Sequence, residues 1–322
     1  MRGFAMFTFE QDTLDGAVRL QLTNTKTGER VTFMPEFGGN VNSLILAKGK
    51  KLYPIIQGYK KRSDFISDQH CKSWHLIPFP HRVKDGQYFF QDHVYQLPVN
   101  EADRHHARHG FYAHRHLQIE SVREEADSIS LRLGDKYLGE IPGYPFLFRT
   151  DITYTLHAER GFICTTEIKN IDTNTMPLGA GWHPYFKIGG SVDELMLRLP
   201  TAYKVELDQR MLPTGMLDET PAFQDFVALR GLRLDTLFQF APHDDGIAAL
   251  ELYHPQLNLR LQFGLEIGPQ KYNFIYLYIP PSRDAIAVNP MTCNSDAFNS
   301  GEGLIVLASG ETFRGTCGIR LA

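Results

Sequence analysis

Apolar and polar residues alternate with a period of two along most of this chain. The alternation is clearest in residues 18–24, 129–133, 150–157, 162–170, 194–200, 249–254, 257–263 and 273–280. Successive side chains of a strand point to opposite faces of a sheet, so this pattern predicts strands with one buried face. Clusters of Gly, Pro, Asn and Asp, such as DDG and NPMTCNSD, separate these segments and predict turns.

Long amphipathic helices are scarce. The sequence has neither a strand–glycine loop–helix unit of the dinucleotide-binding type nor a GxxxxGK phosphate loop. Many strands at short spacing with little helix predict an all-β sandwich or barrel. Because no repeat period and no Pro/Ser-rich linker is visible, we predict one large domain that spans residues 1–322.

Charge and cysteine content narrow the function classes. The 322 residues include 33 Lys and Arg against 37 Asp and Glu, a formal charge of −4, so no nucleic-acid partner is expected. The four cysteines form no CxxC pair, which argues against a zinc knuckle and a disulfide scaffold. No signal peptide is visible, and no apolar run approaches the ~20 residues of a membrane span. We therefore expect a soluble cytoplasmic protein with reduced thiols and no membrane partner.

The stretch RHHARHGFYAHRH (residues 104–116) holds five of the thirteen histidines. His105 and His109 stand four residues apart, so they would share one face only if the segment were helical. Gly110 and the aromatic residues after it favour a strand instead. With no HExxH motif and no partner cysteine, a metal site is not expected. His109 precedes a glycine at a predicted strand entrance and is set apart from the other four. Those four are interpreted as exposed loop residues: His105, His106, His114 and His116.

Three further segments place polar side chains among apolar ones. His183 lies in GWHPYF, where its ring would resist protonation, and on this segment alone a core histidine bonded to a backbone carbonyl is favoured. Arg82, in the proline-bounded PFPHRVKDGQY, offers a rigid fork of donors for hydroxyls or carboxylates, with an ordinary surface arginine as the alternative. Asp235 is flanked by leucines in RLDTLF, and a buried carboxylate there needs donors such as sugar hydroxyls or backbone amides.

Taken in order, these segments resemble the aldose 1-epimerase (galactose mutarotase) family. The motifs are PFPHRVKDGQY, RHG, GWHPYF, LPTG, LDTLF and NPMTCNSDAFNSGEGL, and the similarity covers essentially the whole chain. Each motif is weak alone, and their common order makes the set specific. The resemblance implies a large antiparallel β-sandwich with a sugar cleft on one face. It also implies a small-molecule sugar as partner, and chemistry that needs no cofactor and no metal.

The resemblance further implies roles for individual residues. In that family a glutamate takes the proton from the anomeric hydroxyl, and the histidine of the HPYF motif protonates the ring oxygen. The ring opens, the C1 end rotates, and the ring closes to either anomer. Carried across, His183 is the expected general acid, and His109 is the second histidine, which holds and polarises the sugar. Arg82 and Asp235 are expected to bind hydroxyls.

The sequence departs from the family pattern at the position of the base. Asn289, in AVNPMT, stands where the family has its catalytic glutamate. An amide can accept a hydrogen bond from the anomeric hydroxyl but cannot keep its proton. General-base help is typically worth about 10²–10⁴-fold in rate. The carboxylates that could substitute are interpreted as turn residues: Asp296 and Glu302, which follow Asn289 closely, and Asp85 in VKDG.

Two classes of function therefore stay open. One is an aldose 1-epimerase-like enzyme that interconverts the anomers of a free aldose, slowed by Asn289 at the base position. The other is a non-catalytic sugar-binding protein, such as a sensor or an accessory protein. A glycoside hydrolase is a weaker third, because it needs two carboxylates flanking the scissile bond. The sequence identifies neither the sugar nor whether it is phosphorylated.

Overall fold

The protein is built almost entirely of strands in a computed structural model that describes residues 6–68 and 70–322. The first residues of the segment searched for a signal peptide lie outside these ranges. No helix within the ranges is long and apolar enough to cross a membrane. Strands of the first half of the chain are β1 (Phe7–Leu14), β2 (Ala17–Asn24), β3 (Arg30–Met34), β4 (Asn40–Lys48), β5 (Lys51–Gln57), β6 (His75–Leu76), β7 (Arg82–Lys84), β8 (Gln87–Phe90), β9 (His93–Gln96), β10 (His106–Arg108), β11 (Gln118–Glu124), β12 (Ser128–Tyr137) and β13 (Phe148–His157).

The second half continues the same construction. Its strands are β14 (Gly161–Asn170), β15 (Met176–Leu178), β16 (Gly181–Trp182), β17 (Tyr185–Phe186), β18 (Met196–Arg198), β19 (Ala202–Leu207), β20 (Pro213–Glu219), β21 (Val227–Ala228), β22 (Asp235–Phe240), β23 (Ile247–His254), β24 (Leu259–Glu266), β25 (Phe274–Tyr278), β26 (Ile286–Met291), β27 (Ile305–Leu307) and β28 (Thr312–Leu321). Helical turns are short: α1 (Arg62–Ile66), α2 (Ala297–Ser300) and 3-10 turns at Pro35–Phe37, Tyr112–His114, Val192–Glu194 and Pro221–Gln224.

Most strands form two large antiparallel sheets. The first follows the order β1-β2-β3-β4-β5-β17-β26-β25-β22-β19-β20, with β16 and β6 joined beside β26. The second follows the order β11-β12-β13-β14-β28-β24-β23-β18-β21. Aromatic contacts join them: Phe33 of β3 stacks on Tyr154 of β13 with ring centroids 4.4 Å apart, and Phe186 of β17 meets Phe263 of β24 at 5.3 Å. The large antiparallel β-sandwich implied by the resemblance is confirmed.

The predicted strands fall where the alternation placed them, with one partial exception. In β24, Leu259, Leu261, Phe263 and Leu265 are buried and the residues between them are half-buried. Each such side chain contributes roughly 1.5–3 kcal/mol when fully buried. The exception is residues 194–200, where the strand is reduced to Met196–Arg198. The residues just before it form a 3-10 turn instead.

The centre of the first sheet departs from simple alternation. All six residues of β26 are buried, on both faces of the strand. One face carries Ile286 and Val288, which belong to the core between the sheets. The other face carries Ala287 and Asn289, which lie outside that core. This second face forms the floor of a cavity.

Candidate active site

A cavity of about 260 Å³ lies on the face of the first sheet that points away from the second sheet. All five residues singled out from the sequence line it: Arg82, His109, His183, Asp235 and Asn289. Eight further residues complete the lining: His70, Cys71, His81, Arg104, Arg108, Tyr185, Tyr276 and Tyr278. Segments more than 200 residues apart in the chain therefore converge on one polar cavity.

The register of the central strands places the floor of this cavity. Tyr276 of β25 pairs with Asn289 of β26, and two residues further along β25, Tyr278 pairs with Asp235 of β22. Residues that pair directly, or that stand two apart, share one face of a sheet. The four side chains therefore lie on the same face, arranged across three neighbouring strands.

Asp235 is the carboxylate among the described residues that line the cavity. The expectation of a buried carboxylate was wrong: its neighbour Leu234 and the more distant Leu237 are buried, whereas Asp235 is exposed. The reason is the phase of β22, which turns this residue toward the cavity and not the core. Its Oδ1 accepts a hydrogen bond of 2.6 Å from the hydroxyl of Tyr276. Burial, and then the charge of Asp235, raise the pKa of Tyr276, so this phenol keeps its proton and donates it in the hydrogen bond.

Arg82 is a buried partner of Glu101 and not a surface arginine. Its Nε donates to Glu101 Oε2 at 2.7 Å and its Nη2 donates to Oε1 at 2.8 Å, a two-point charge-assisted contact. Arg104 and Arg108 also approach Oε1, at 3.4 and 3.5 Å. Burial alone would raise the pKa of Glu101, but the hydrogen bonds and charges of these arginines lower it. One carboxylate thus faces three guanidinium groups at one side of the cavity.

His109 is held in a defined tautomer. It follows β10 directly, so it stands at a strand exit and not at the predicted entrance, with a left-handed φ of 63°. Its Nδ1 accepts a hydrogen bond of 3.1 Å from the backbone N–H of His81. Nδ1 therefore carries no proton in the neutral ring, and Nε2 is the donor. Burial, and then the neighbouring charge of His183, lower the pKa of His109, which keeps the ring neutral.

His183 lies beside His109, with the two rings edge to face and their centroids 5.3 Å apart. The ring of His183 also stacks on the ring of Tyr185, with centroids 5.3 Å apart. Burial lowers the pKa of His183 to about 3. The carbonyl partner expected of a purely structural histidine is missing at Nδ1, which is buried and has no hydrogen-bond partner among the described residues.

Asn289, the residue that the resemblance aligns with the catalytic glutamate, lines the cavity and is only 1% exposed. Its Oδ1 is buried without a hydrogen-bond partner in the described part of the chain. An unsatisfied buried acceptor typically costs roughly 1–3 kcal/mol. A ligand hydroxyl that donates to this oxygen would remove that cost.

The interpretation of four histidines as exposed loop residues was wrong for one of them. His106 is fully buried: its backbone pairs with Lys84 of β7, and its ring contacts backbone groups of Asp85 and Arg210. Its Nδ1 accepts from the N–H of Asp85 and its Nε2 lies 3.1 Å from the carbonyl of Arg210. The other three are exposed: His105, His114 and His116.

The carboxylates considered as substitutes for the base do not line the cavity. Asp85 is bound by Arg210. Asp296 accepts a hydrogen bond of 2.8 Å from the N–H of Lys84. Glu302 accepts a hydrogen bond from the side chain of Asn294. Their turn assignments are consistent with these local contacts.

Several lining residues were not singled out from the sequence. Arg104 and Arg108 belong to the histidine-rich stretch, in which only the histidines were considered as site residues. His81 directly precedes Arg82, and Tyr276 lies in an aromatic strand whose alternation alone does not tell cavity from core. Glu101 could have been suspected from one signal: it is an acidic residue just before a segment with three arginines. Within the described ranges, no group of three or more His, Cys, Asp and Glu side chains is arranged to hold a metal ion.

Comparison with known proteins gives consistent matches. Residues 19–320 match the family model described as aldose 1-epimerase. Uncharacterized protein YihR of Escherichia coli (strain K12) is 32% identical over 243 residues, which cover 74% of this chain and 75% of that protein.

Solved structures share the fold across nearly the full length. A galactose mutarotase-like protein from Clostridium acetobutylicum has a TM-score of 0.86 at 20% identity, covering 98% of both chains. The GalM/aldose epimerase homologue from C. elegans has a TM-score of 0.79 at 19% identity, covering 98% of this chain and 99% of that one. Galactose 1-epimerase from Lactobacillus acidophilus NCFM has a TM-score of 0.78 at 16% identity, covering 98% of both chains.

Proposed function

Because the chain belongs to the aldose 1-epimerase family, we propose that it interconverts the α and β anomers of a free aldose. The observation that carries this proposal is the convergence of Arg82, His109, His183, Asp235 and Asn289 on one polar cavity. The lining includes hydrogen-bond donors and acceptors from arginine, histidine, tyrosine, aspartate and asparagine side chains, which suits a ligand covered with hydroxyl groups.

The proposed chemistry is acid–base ring opening without a cofactor. His183 is the proposed acid toward the ring oxygen, and His109 donates from Nε2 to hold and polarise the sugar. Arg82, fixed by Glu101, has a further Nη1 that lies 2.9 Å from Nε2 of His81 at the cavity wall. Arg82 and Asp235 bind hydroxyls in this scheme. Asn289 binds but cannot act as the base, so the proposed turnover is slow for the family.

The arginines support a sugar with an acidic substituent, such as a phosphoryl group. Arg104 and Arg108 approach Glu101 Oε1, which also accepts from Arg82 Nη2, and both are partly exposed at the cavity. Their charge therefore exceeds what that carboxylate neutralises. Guanidinium groups recognise phosphoryl oxygens through paired N–H donors.

The substitution at the base position supports a second candidate function. With an amide at residue 289 the cavity would bind a sugar without converting it, as a sensor or accessory protein does. For either function we propose one carbohydrate-binding domain over residues 1–322. The four free cysteines support a cytoplasmic location.

The test is anomer exchange measured by NMR across a panel of aldoses, neutral and 6-phosphorylated, with His183→Ala as the control variant. Exchange above the buffer rate that disappears in His183→Ala supports the epimerase. Ligand signals that broaden on binding without exchange support the sugar-binding protein. No change in either observable for any sugar contradicts both functions.

A further inference from the structure

We propose that His183 is a two-way proton carrier: one nitrogen of its ring takes the proton of the anomeric hydroxyl and returns it to the ring oxygen of the sugar. This inference rests on the proposed epimerase function and gives the role of the missing base to the residue already proposed as the acid. It follows from three features of the cavity: the position of His183 beside Asn289, the free nitrogens of its ring, and the charges around that ring.

The first feature is the position of His183 across from Asn289. Gly181 of β16 pairs with Met291 of β26, and the pairing of β17 with β26 continues the same register. Two residues on from the first pair, this register places His183 opposite Asn289. Residues directly opposed on antiparallel strands have Cβ atoms about 4.5–5.5 Å apart. Because both side chains line the cavity, a sugar whose C1 lies at Asn289 has C1 within reach of His183.

The second feature is the ring of His183, which the protein leaves free. Its Nδ1 is buried without a partner, so Nε2 is the nitrogen that faces the cavity, and no hydrogen bond to Nε2 is formed within the described chain. His109 differs, because its Nδ1 accepts from the backbone of His81 and its Nε2 is thereby fixed as a donor. The tautomer of His183 is therefore set by the ligand. A hydroxyl that donates to Nε2 selects the tautomer with the proton on Nδ1, which leaves the Nε2 lone pair as a base.

The third feature is the charge around this ring. Burial lowers the pKa of His183, and the charges of Arg108 and of protonated His70 lower it further. Asp235, the carboxylate of the described lining, stands on β22, the third strand from β17 in the order of the sheet. A glutamate at position 289 would favour the protonated ring, whereas the amide of Asn289 does not. The ring therefore starts the reaction neutral, as a proton acceptor. The titratable groups that face it are His70, His81, Arg108, His109 and Tyr185.

The step balances with this one residue. The proton of O1 passes to Nε2 of His183, and the electron pair of that O–H bond becomes the second bond of the aldehyde. The C1–O5 bond breaks, its electron pair goes to O5, and O5 takes the proton from Nε2. One nitrogen can serve both oxygens because both are bonded to C1. His183 is neutral before and after the step, and the reverse sequence on the rotated aldehyde gives the other anomer.

The experiment is the pH dependence of kcat/KM for anomer exchange, measured by NMR and corrected for the buffer rate at each pH. A carrier that starts neutral is active throughout, so kcat/KM should change by less than about threefold between about pH 5.5 and 8. If His183 serves only as an acid and water takes the first proton, the active protonated fraction falls about tenfold per pH unit. A fall of that size overturns the inference.

Asn289→Glu tests whether residue 289 acts on the ring. The new carboxylate should raise the pKa of His183 and take the first proton itself, so kcat/KM of this variant should fall as the pH rises. A variant profile as flat as that of the natural protein would contradict the pairing of the two residues on which the inference stands.

Chemical rescue provides a second measurement, which does not depend on the pKa of the buried ring. His183→Ala leaves a ring-sized space, and added imidazole titrates near neutral pH, as the histidine side chain does. The carrier role predicts that the restored rate rises with neutral imidazole, by roughly tenfold or more between pH 5.5 and 7.5. A restored rate that falls as imidazole loses its proton overturns the inference. Rates with the same imidazole and no protein are subtracted.

His116→Ala is the matched control, because His116 is exposed and does not line the cavity. It should keep the natural kcat and gain nothing from imidazole. The measurements also separate this inference from the proposed function. A natural protein without exchange above the buffer rate contradicts the epimerase and the carrier together. Exchange that persists in His183→Ala, or that falls tenfold per pH unit in the natural protein, contradicts the carrier alone.

Discussion

The two faces of strands β25 and β26 use the same backbone for different purposes. The face toward the second sheet is apolar and fully buried: Ile275, Leu277, Ile286 and Val288. The opposite face carries the polar floor of the cavity: Tyr276, Tyr278 and Asn289. Both faces exclude water from most of their side chains, so burial does not distinguish them. What distinguishes them is the kind of contact, dispersion and packing on one face, and hydrogen bonds left open for a ligand on the other.

This difference explains why alternation alone could locate the strands but not the site. The sequence of a strand that is buried on both faces is a nearly continuous run of apolar residues, as in IAVNPM of β26. The polar residue in such a run either satisfies itself inside the protein or meets a ligand. Asn289 Oδ1 finds no partner within the described chain, which favours the ligand.

The largest expected effect comes from placing a glutamate on the cavity face. Asn289→Glu should raise anomer exchange by up to about 10²–10⁴-fold, because it supplies a base at the position where the resemblance implies one. NMR exchange rates at saturating sugar check this. Asn289→Gln is the matched control: it lengthens the side chain in the same way but adds no base, so it should give no gain. A glutamate variant that binds sugar without gaining rate would show that the cavity has diverged at more than one residue.

The next largest effect is expected from a substitution on the core face. Leu277→Ala, one residue from Tyr276 but on the opposite face, should lower the free energy of unfolding by about 2–5 kcal/mol, through lost burial and the cavity left behind. Denaturant unfolding measures this, and NMR measures exchange per folded molecule. The exchange rate should change little, because the side chain does not touch the cavity. An exchange loss as large as that of a floor residue would mean that the two faces are not independent.

Individual residues show which features of the site could be predicted from the sequence and which could not. The convergence of the five predicted residues on one cavity could be anticipated because each lies in a short motif, and the order of these motifs along the chain is specific. Glu101 was missed because its pairing with Arg82 spans 19 positions and depends on how β7 and β10 come together. The exposure of Asp235 was missed for a related reason: flanking leucines indicate a strand, but not which face of it meets a cavity. Contacts between strands, and the phase of each strand, are set by the tertiary fold.

A smaller effect tests the charge at the cavity wall. Arg108→Gln should weaken binding of a 6-phosphorylated aldose by about tenfold or more, since a hydrogen bond to a charged group is worth roughly 1.5–3 kcal/mol. Binding of the neutral aldose should change much less. Titrations of both ligands check the ratio, with Arg19→Gln as control because that arginine, on β2, pairs with Asp12 on the edge strand β1 and does not line the cavity. Equal losses for both ligands would argue against an acidic substituent.

The smallest effect on stability is expected from two buried histidines, one on each side of the first sheet. Burial lowers the pKa of His75, in the core, and of His183, in the cavity, to about 3. Both are neutral in the folded state, whereas the unfolded chain protonates them below about 6.5. Each therefore contributes stability that is fully present above pH 6.5 and is lost as the pH falls toward 3, by up to about 1.4 kcal/mol per pH unit. His75→Gln and His183→Gln should each flatten the fall in unfolding free energy between pH 6.5 and 5.

The two variants should differ in their effect on anomer exchange. His75 contacts the Tyr154 hydroxyl at 2.8 Å inside the core, so its loss should leave exchange unchanged, whereas the loss of His183 should abolish it. Equal loss of exchange in both would mean that exchange reports on stability and not on the cavity.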